Sequence, residues 1–75
     1  MRKKIIRVMC DVFSLDKSDI PEDISKNTVE NWDSLQHLIL MSEIESRFNV
    51  KFEPEEIINV NSISDLEELL KLKGV

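Results

Sequence analysis

Few side chains in this sequence have the type and position for covalent chemistry: Cys10, His37 and, among the serines, Ser34. Ser34 lies in the stretch Asn31-Trp32-Asp33-Ser34-Leu35-Gln36-His37-Leu38, where a polar connection gives way to a strongly helical run. Asp33 is suited to cap that helix, and Gln36 three residues later completes a capping-box pattern that would satisfy the backbone donors at the helix start. Ser34 is then the first helical residue, with its hydroxyl turned outward. His37 follows three residues on, near enough to approach it. A serine and a histidine alone do not make a nucleophile, because the pair also needs an orienting group and an oxyanion site. One histidine, no glycine-rich elbow and 75 residues leave no room for an enclosed catalytic pocket, so the sequence speaks against an enzyme. The only cysteine, Cys10, permits neither an internal disulfide nor a cysteine metal cluster, and it reads as a small residue at the edge of the core. The acids lack the spacing of a calcium loop, so no metal site is expected.

The elements that would hold these residues are helical. Ile5, Val8, Met9, Val12 and Phe13 recur at three- and four-residue spacing, which predicts a first helix over 2–14 with Arg2, Lys4, Arg7 and Asp11 outside. From Ser14 to Trp32 the periodicity fades into cap and turn formers (Asp16, Ser18, Asp19, Pro21, Asp23, Ser25, Asn27). Leu15, Ile20, Ile24 and Val29 give that stretch apolar anchors, so it reads as a packed loop with a helical turn in it. Residues 34–48 contain no Gly or Pro and form the clearest helix. His37, Leu40, Met41, Ile44 and Phe48 mark its core face. Leu35, Leu38 and Ile39 lie to one side, next to Ser34, and part of that set must stay partly exposed. Either the long loop folds over it or, the reading favoured for Leu35 and Ile39, it is a docking patch. Pro54 at a first turn, with Glu55 and Glu56 behind it, predicts a short third helix. Ser64 and Glu67 form a further capping-box pattern, opening a last helix to about Lys73 with Leu66, Leu69 and Leu70 inside and Gly74 as its stop.

The expected architecture is all-α: a small four-helix bundle, three main helices and a short third one, in a single domain over 1–75. Composition agrees, with 41% apolar residues, 5% aromatic and one Gly. The net charge is −5 and unevenly spread. Four cations precede the first acid, Asp11, leaving 6 basic against 15 acidic residues from there on, a net −9. Such a surface repels phosphate backbones, which excludes nucleic acid as a partner, and it attracts proteins with basic patches. No run approaches the ~20 apolar residues of a membrane span. The lone cysteine fits a reducing, cytoplasmic setting.

Asp33-Ser34-Leu35, the helix through Phe48, Phe52-Glu53-Pro54-Glu55-Glu56 and Ser62-Ile63-Ser64-Asp65-Leu66 resemble, in order and spacing, an acyl carrier protein. The resemblance covers nearly the whole chain. It implies that Ser34, flanked by Asp33 and Leu35, carries 4′-phosphopantetheine through a phosphodiester, and that the thiol of this arm holds an acyl group as a thioester. The physical logic agrees: a capped helix start after a loop gives a serine exposure, a rigid base and positive partial charge beside the phosphate. The implied partners are a phosphopantetheinyl transferase and acyl-loading and acyl-using enzymes with basic or apolar docking patches, met by a monomer through Leu35, Gln36, Ile39 and Glu45. If the acyl chain tucks between helices, His37 lines the entrance.

The chain departs from the carriers of bulk fatty-acid synthesis at Gln36 and Ile39, where those proteins usually have acids. Ser46 and Arg47 also dilute the acidic end of the helix, although Glu43 and Glu45 remain. Trp32 and His37 around the motif resemble stand-alone carriers of dedicated lipid, polyketide-type or surface-glycan precursor pathways. Two alternatives stay open: an aminoacyl or peptidyl carrier with the same arm, and an unmodified helical adaptor.

Overall fold

The computed structural model describes residues 1–16, 18, 20, 21 and 23–75; Asp19, one of the expected turn formers, lies outside them. Among the described residues are four helices, α1 (Arg2–Phe13), α2 (Ser34–Phe48), α3 (Pro54–Asn59) and α4 (Ile63–Leu72), and no strand beyond one isolated bridge between Ser25 and Ser62. This is the expected all-α, four-helix arrangement with its short third member.

The core follows the apolar stripes. Ile5, Val8, Met9 and Phe13 of α1 join Leu40, Met41 and Ile44 of α2 and Ile63, Leu66 and Leu70 of α4 in one buried cluster. Each such side chain contributes about 1.5–3 kcal/mol when fully removed from water. One residue of α1 differs from the sequence reading: Val12 is only half-buried. Cys10 is buried, at 6% exposure, but stands outside the contiguous cluster.

The helix ends are closed by local chemistry. α1 and α2 both stop at a residue in the left-handed region, Ser14 (φ 57°) and Asn49 (φ 54°), whose amides return to the Cys10 and Glu45 carbonyls. Beyond α4, Gly74 (φ 80°) lets the Gly74 and Val75 amides reach the Lys71 and Leu70 carbonyls, satisfying two end carbonyls at once. The α4 start corrects the sequence reading. Its cap is Ser62, whose hydroxyl accepts from the Asp65 amide, and not Ser64, which is an exposed helical residue. The earlier start makes Ile63 helical, buries it completely and lets its amide donate to the Ile24 carbonyl at 2.8 Å. That tertiary bond is invisible in the local pattern.

The long connection between α1 and α2 packs as expected. Ile24 and Val29 are buried, Leu15 and Ile20 half-buried, and one turn forms where the Thr28 and Val29 amides return to the Ser25 carbonyl. α3 is built differently from the other helices. It buries none of its own residues and hangs between two buried anchors, Phe52 before it and Val60 after it.

Candidate functional site

The start of α2 is fixed from both sides. Upstream, the Asn31 side-chain amide donates to the Phe13 carbonyl at 3.1 Å, tying the end of the loop to the end of α1. Trp32 is 5% exposed, and its ring lies 5.2 Å from that of Phe13, centroid to centroid. Asp33 is extended (φ −102°, ψ −175°), and its carboxylate accepts from the Gln36 amide at 2.8 Å. Its own carbonyl takes the His37 amide, which leaves the Ser34 and Leu35 amides at the tip as open donors. The capping box expected of Gln36 is left half made. The Asp33 amide already donates to the Asn31 carbonyl at 3.0 Å, so the Gln36 side chain has nothing to accept there.

Ser34 is exposed at the first position of this helix. Beside it Leu35, Leu38 and Ile39 are 65%, 58% and 40% exposed, so the second stripe does face solvent. Gln36 is half-buried. Glu45 stands apart from this group. Eleven residues separate it from Ser34, about 16 Å along the helix axis, and its carboxylate accepts from the Phe52 amide at 2.8 Å.

His37 is on the core face, as its spacing predicts, and is 6% exposed. Its hydrogen-bond partners do not follow from that spacing. Trp32 Nε1–H donates to His37 Nδ1 at 2.9 Å, and His37 Nε2 lies 2.6 Å from the Ile57 carbonyl of α3. An indole can only donate, so Nδ1 must be the bare nitrogen and Nε2–H the donor to Ile57. Both ring nitrogens are therefore committed, and neither serves as a base for Ser34. The only hint in the sequence is the pairing of a tryptophan just before the cap with a histidine on the core stripe.

Charged groups are engaged elsewhere on the molecule. Arg47 pairs with Asp11 at 3.0 Å and Glu43 at 3.2 Å, and these contacts hold its guanidinium above the ordinary arginine range, the Asp11 bond contributing most. The Ser18 amide and hydroxyl lower the Asp16 carboxyl below the usual carboxylate range. No helix among the described residues is long and apolar enough to cross a membrane.

An exposed serine on a capped, anchored helix start fits a group joined through a phosphate ester. The open amides and the positive helix end would favour the charge of such an ester. The comparisons with known proteins agree with that fit. The family model described as the phosphopantetheine attachment site matches residues 3–70. Among solved structures, a Mycobacterium tuberculosis protein provisionally designated an acyl carrier protein superposes with a TM-score of 0.81 over 95% of both chains, at 17% identity. No curated protein matches the sequence significantly.

Proposed function

The chain belongs to the phosphopantetheine attachment site family, a family of carriers with a covalently attached 4′-phosphopantetheine, and from that premise we propose that Ser34 bears the arm and that the cargo is an acyl group. The observation that carries this reading is the placement of Ser34: exposed, first in α2, and held there by the Asp33 cap and the buried Trp32. The arm supplies a thiol that holds the acyl group as a thioester. The chain itself supplies the attachment hydroxyl, a stiff mount and a surface for other enzymes to grip, and it catalyses nothing.

Asp33 sets the helix start, and the amides of Ser34 and Leu35 would supply donors to the phosphodiester of the arm. Leu35, Gln36 and Ile39 form the contact surface for partner enzymes, with Glu45 a secondary contact about 16 Å away along the helix. Such a chain works as one carrier domain, a cytoplasmic monomer that meets a phosphopantetheinyl transferase and then acyl-loading and acyl-using enzymes. Gln36 and Ile39, in place of acids, favour partners of a dedicated lipid, polyketide-type or surface-glycan precursor pathway over those of bulk fatty-acid synthesis.

Intact-mass measurement after incubation with coenzyme A and a broad-specificity phosphopantetheinyl transferase tests the attachment. Wild type should gain one arm and Ser34→Ala none. No gain on wild type, or an equal gain on the variant, overturns the assignment. Offering acyl and amino-acid ligases to the modified chain then tests the cargo, and loading by the amino-acid ligase alone would make this an aminoacyl carrier.

A further inference from the structure

One buried polar chain remains unaccounted for by the attachment site. It runs from the Trp32 indole through the His37 imidazole to the Ile57 carbonyl, at 2.9 and 2.6 Å. Its two ends belong to different parts of the fold: Trp32 closes the long loop, and Ile57 lies in the middle of α3. His37 joins them from within the first turn of α2, three residues from Ser34 and so beside it on the helix surface.

The link matters most to α3. That helix has six residues, too few to be stable by itself, and none of them is buried. Ile57 is half-buried, the ion pair of Glu56 with Lys73 (2.8 Å) is partly exposed, and Ile58 is 70% exposed. Among these contacts the His37 bond is the most enclosed and the most directional, and the Trp32 donor holds the imidazole in the one tautomer that can make it.

We propose that His37 is a positioning residue, fixing α3 against the first turn of α2 so that the enzyme acting on Ser34 meets both helices as one surface. The inference rests on the carrier reading given above. It extends the contact surface to α3 and to Ile58, whose side chain is exposed next to the tethered carbonyl. An enzyme that uses this surface loses affinity when the tether is cut, while the hydroxyl and its reaction stay unchanged.

The test combines amide hydrogen exchange with transferase kinetics on the full chain, well below the melting temperature of each variant. His37→Leu removes both bonds. His37→Gln keeps a carbonyl to accept from Trp32 and an amide to donate to Ile57. With His37→Leu, exchange at residues 57–60 should quicken roughly tenfold or more while α1 stays protected. KM for the carrier should rise several-fold with kcat held, and His37→Gln should recover most of both. Should His37→Leu fail to fold, Trp32→Phe cuts one bond and is read in the same way, with smaller changes.

Unchanged exchange in α3 overturns the tether. Quickened exchange with an unchanged KM overturns the role in docking, as does a fall in kcat alone. A wild-type chain that takes up no arm brings down the carrier reading and this inference together, whereas a modified wild type with indifferent variants brings down this inference alone.

Discussion

Trp32→Phe deletes one hydrogen-bond donor and keeps an aromatic ring. It leaves Nδ1 of the 6%-exposed His37 without a partner, and an unsatisfied buried acceptor costs about 1–3 kcal/mol. A chain this small is stable by roughly 4–11 kcal/mol in all, so the loss is plainly visible in chemical denaturation. A change below about 0.5 kcal/mol would mean that the indole N–H contributes little. Asp33→Ala makes the parallel test of the cap, with an expected cost of about 1 kcal/mol, and Asp33→Asn should restore most of it because its carbonyl can still accept from the Gln36 amide. At this scale the sequence was legible where a residue acts through its neighbours. Asp33 and Ser34 could be placed by capping chemistry, and the exposure of Leu35 and Ile39 by helical periodicity. The bonds of His37 were not legible. One partner is five residues away across a loop end and the other is a backbone carbonyl twenty residues on, and no side-chain pattern encodes either.

At the scale of elements, α2 was readable to the residue, and the other helices less so in proportion to how much tertiary contact defines them. The Ser64–Glu67 pattern is a sound local signal, yet α4 begins two residues earlier because burial of Ile63 outweighs an alternative cap. The box at the head of α3 went unread for the opposite reason: the glutamate pair is clear only once Glu53 is known to precede the helix. Its amide donates to Glu56 Oε1 at 2.8 Å. This bond, with the Lys73 ion pair behind it, lowers the Glu56 carboxyl below the ordinary glutamate value of 4.5. A carboxyl whose pKa falls on folding stabilises the fold above its unfolded value, and that stabilisation is lost as pH drops through the lower, folded value. The wild-type melting temperature should therefore fall on acidification below about pH 4.5. Glu56→Gln should show a shallower fall over the same range. Parallel curves for the two proteins would show that Glu56 makes no contribution to the acid limb.

For the whole molecule, charge and exposed apolar surface act on partners in different ways. The acidic excess lies beyond Asp11 and the four leading cations lie on α1, so the body of the protein draws basic surfaces from a distance. That attraction is screened as the Debye length shrinks from ~30 Å at 0.01 M salt to ~8 Å at 0.15 M. On the carrier reading, the association rate with a transferase should fall over that range while the dissociation rate changes little. The apolar patch works at contact instead. Ile39 is 40% exposed and outside the buried cluster, so Ile39→Glu should leave stability within about 0.5 kcal/mol of wild type. It should nevertheless change KM for the enzymes that grip α2, because it replaces apolar area with charge at the centre of the surface beside Ser34. The direction of the change reports the partner: KM rises against an apolar patch and falls against a basic one. A loss of several kcal/mol in stability would place Ile39 in the core, and an unchanged KM across transferase and ligase alike would remove it from the docking surface.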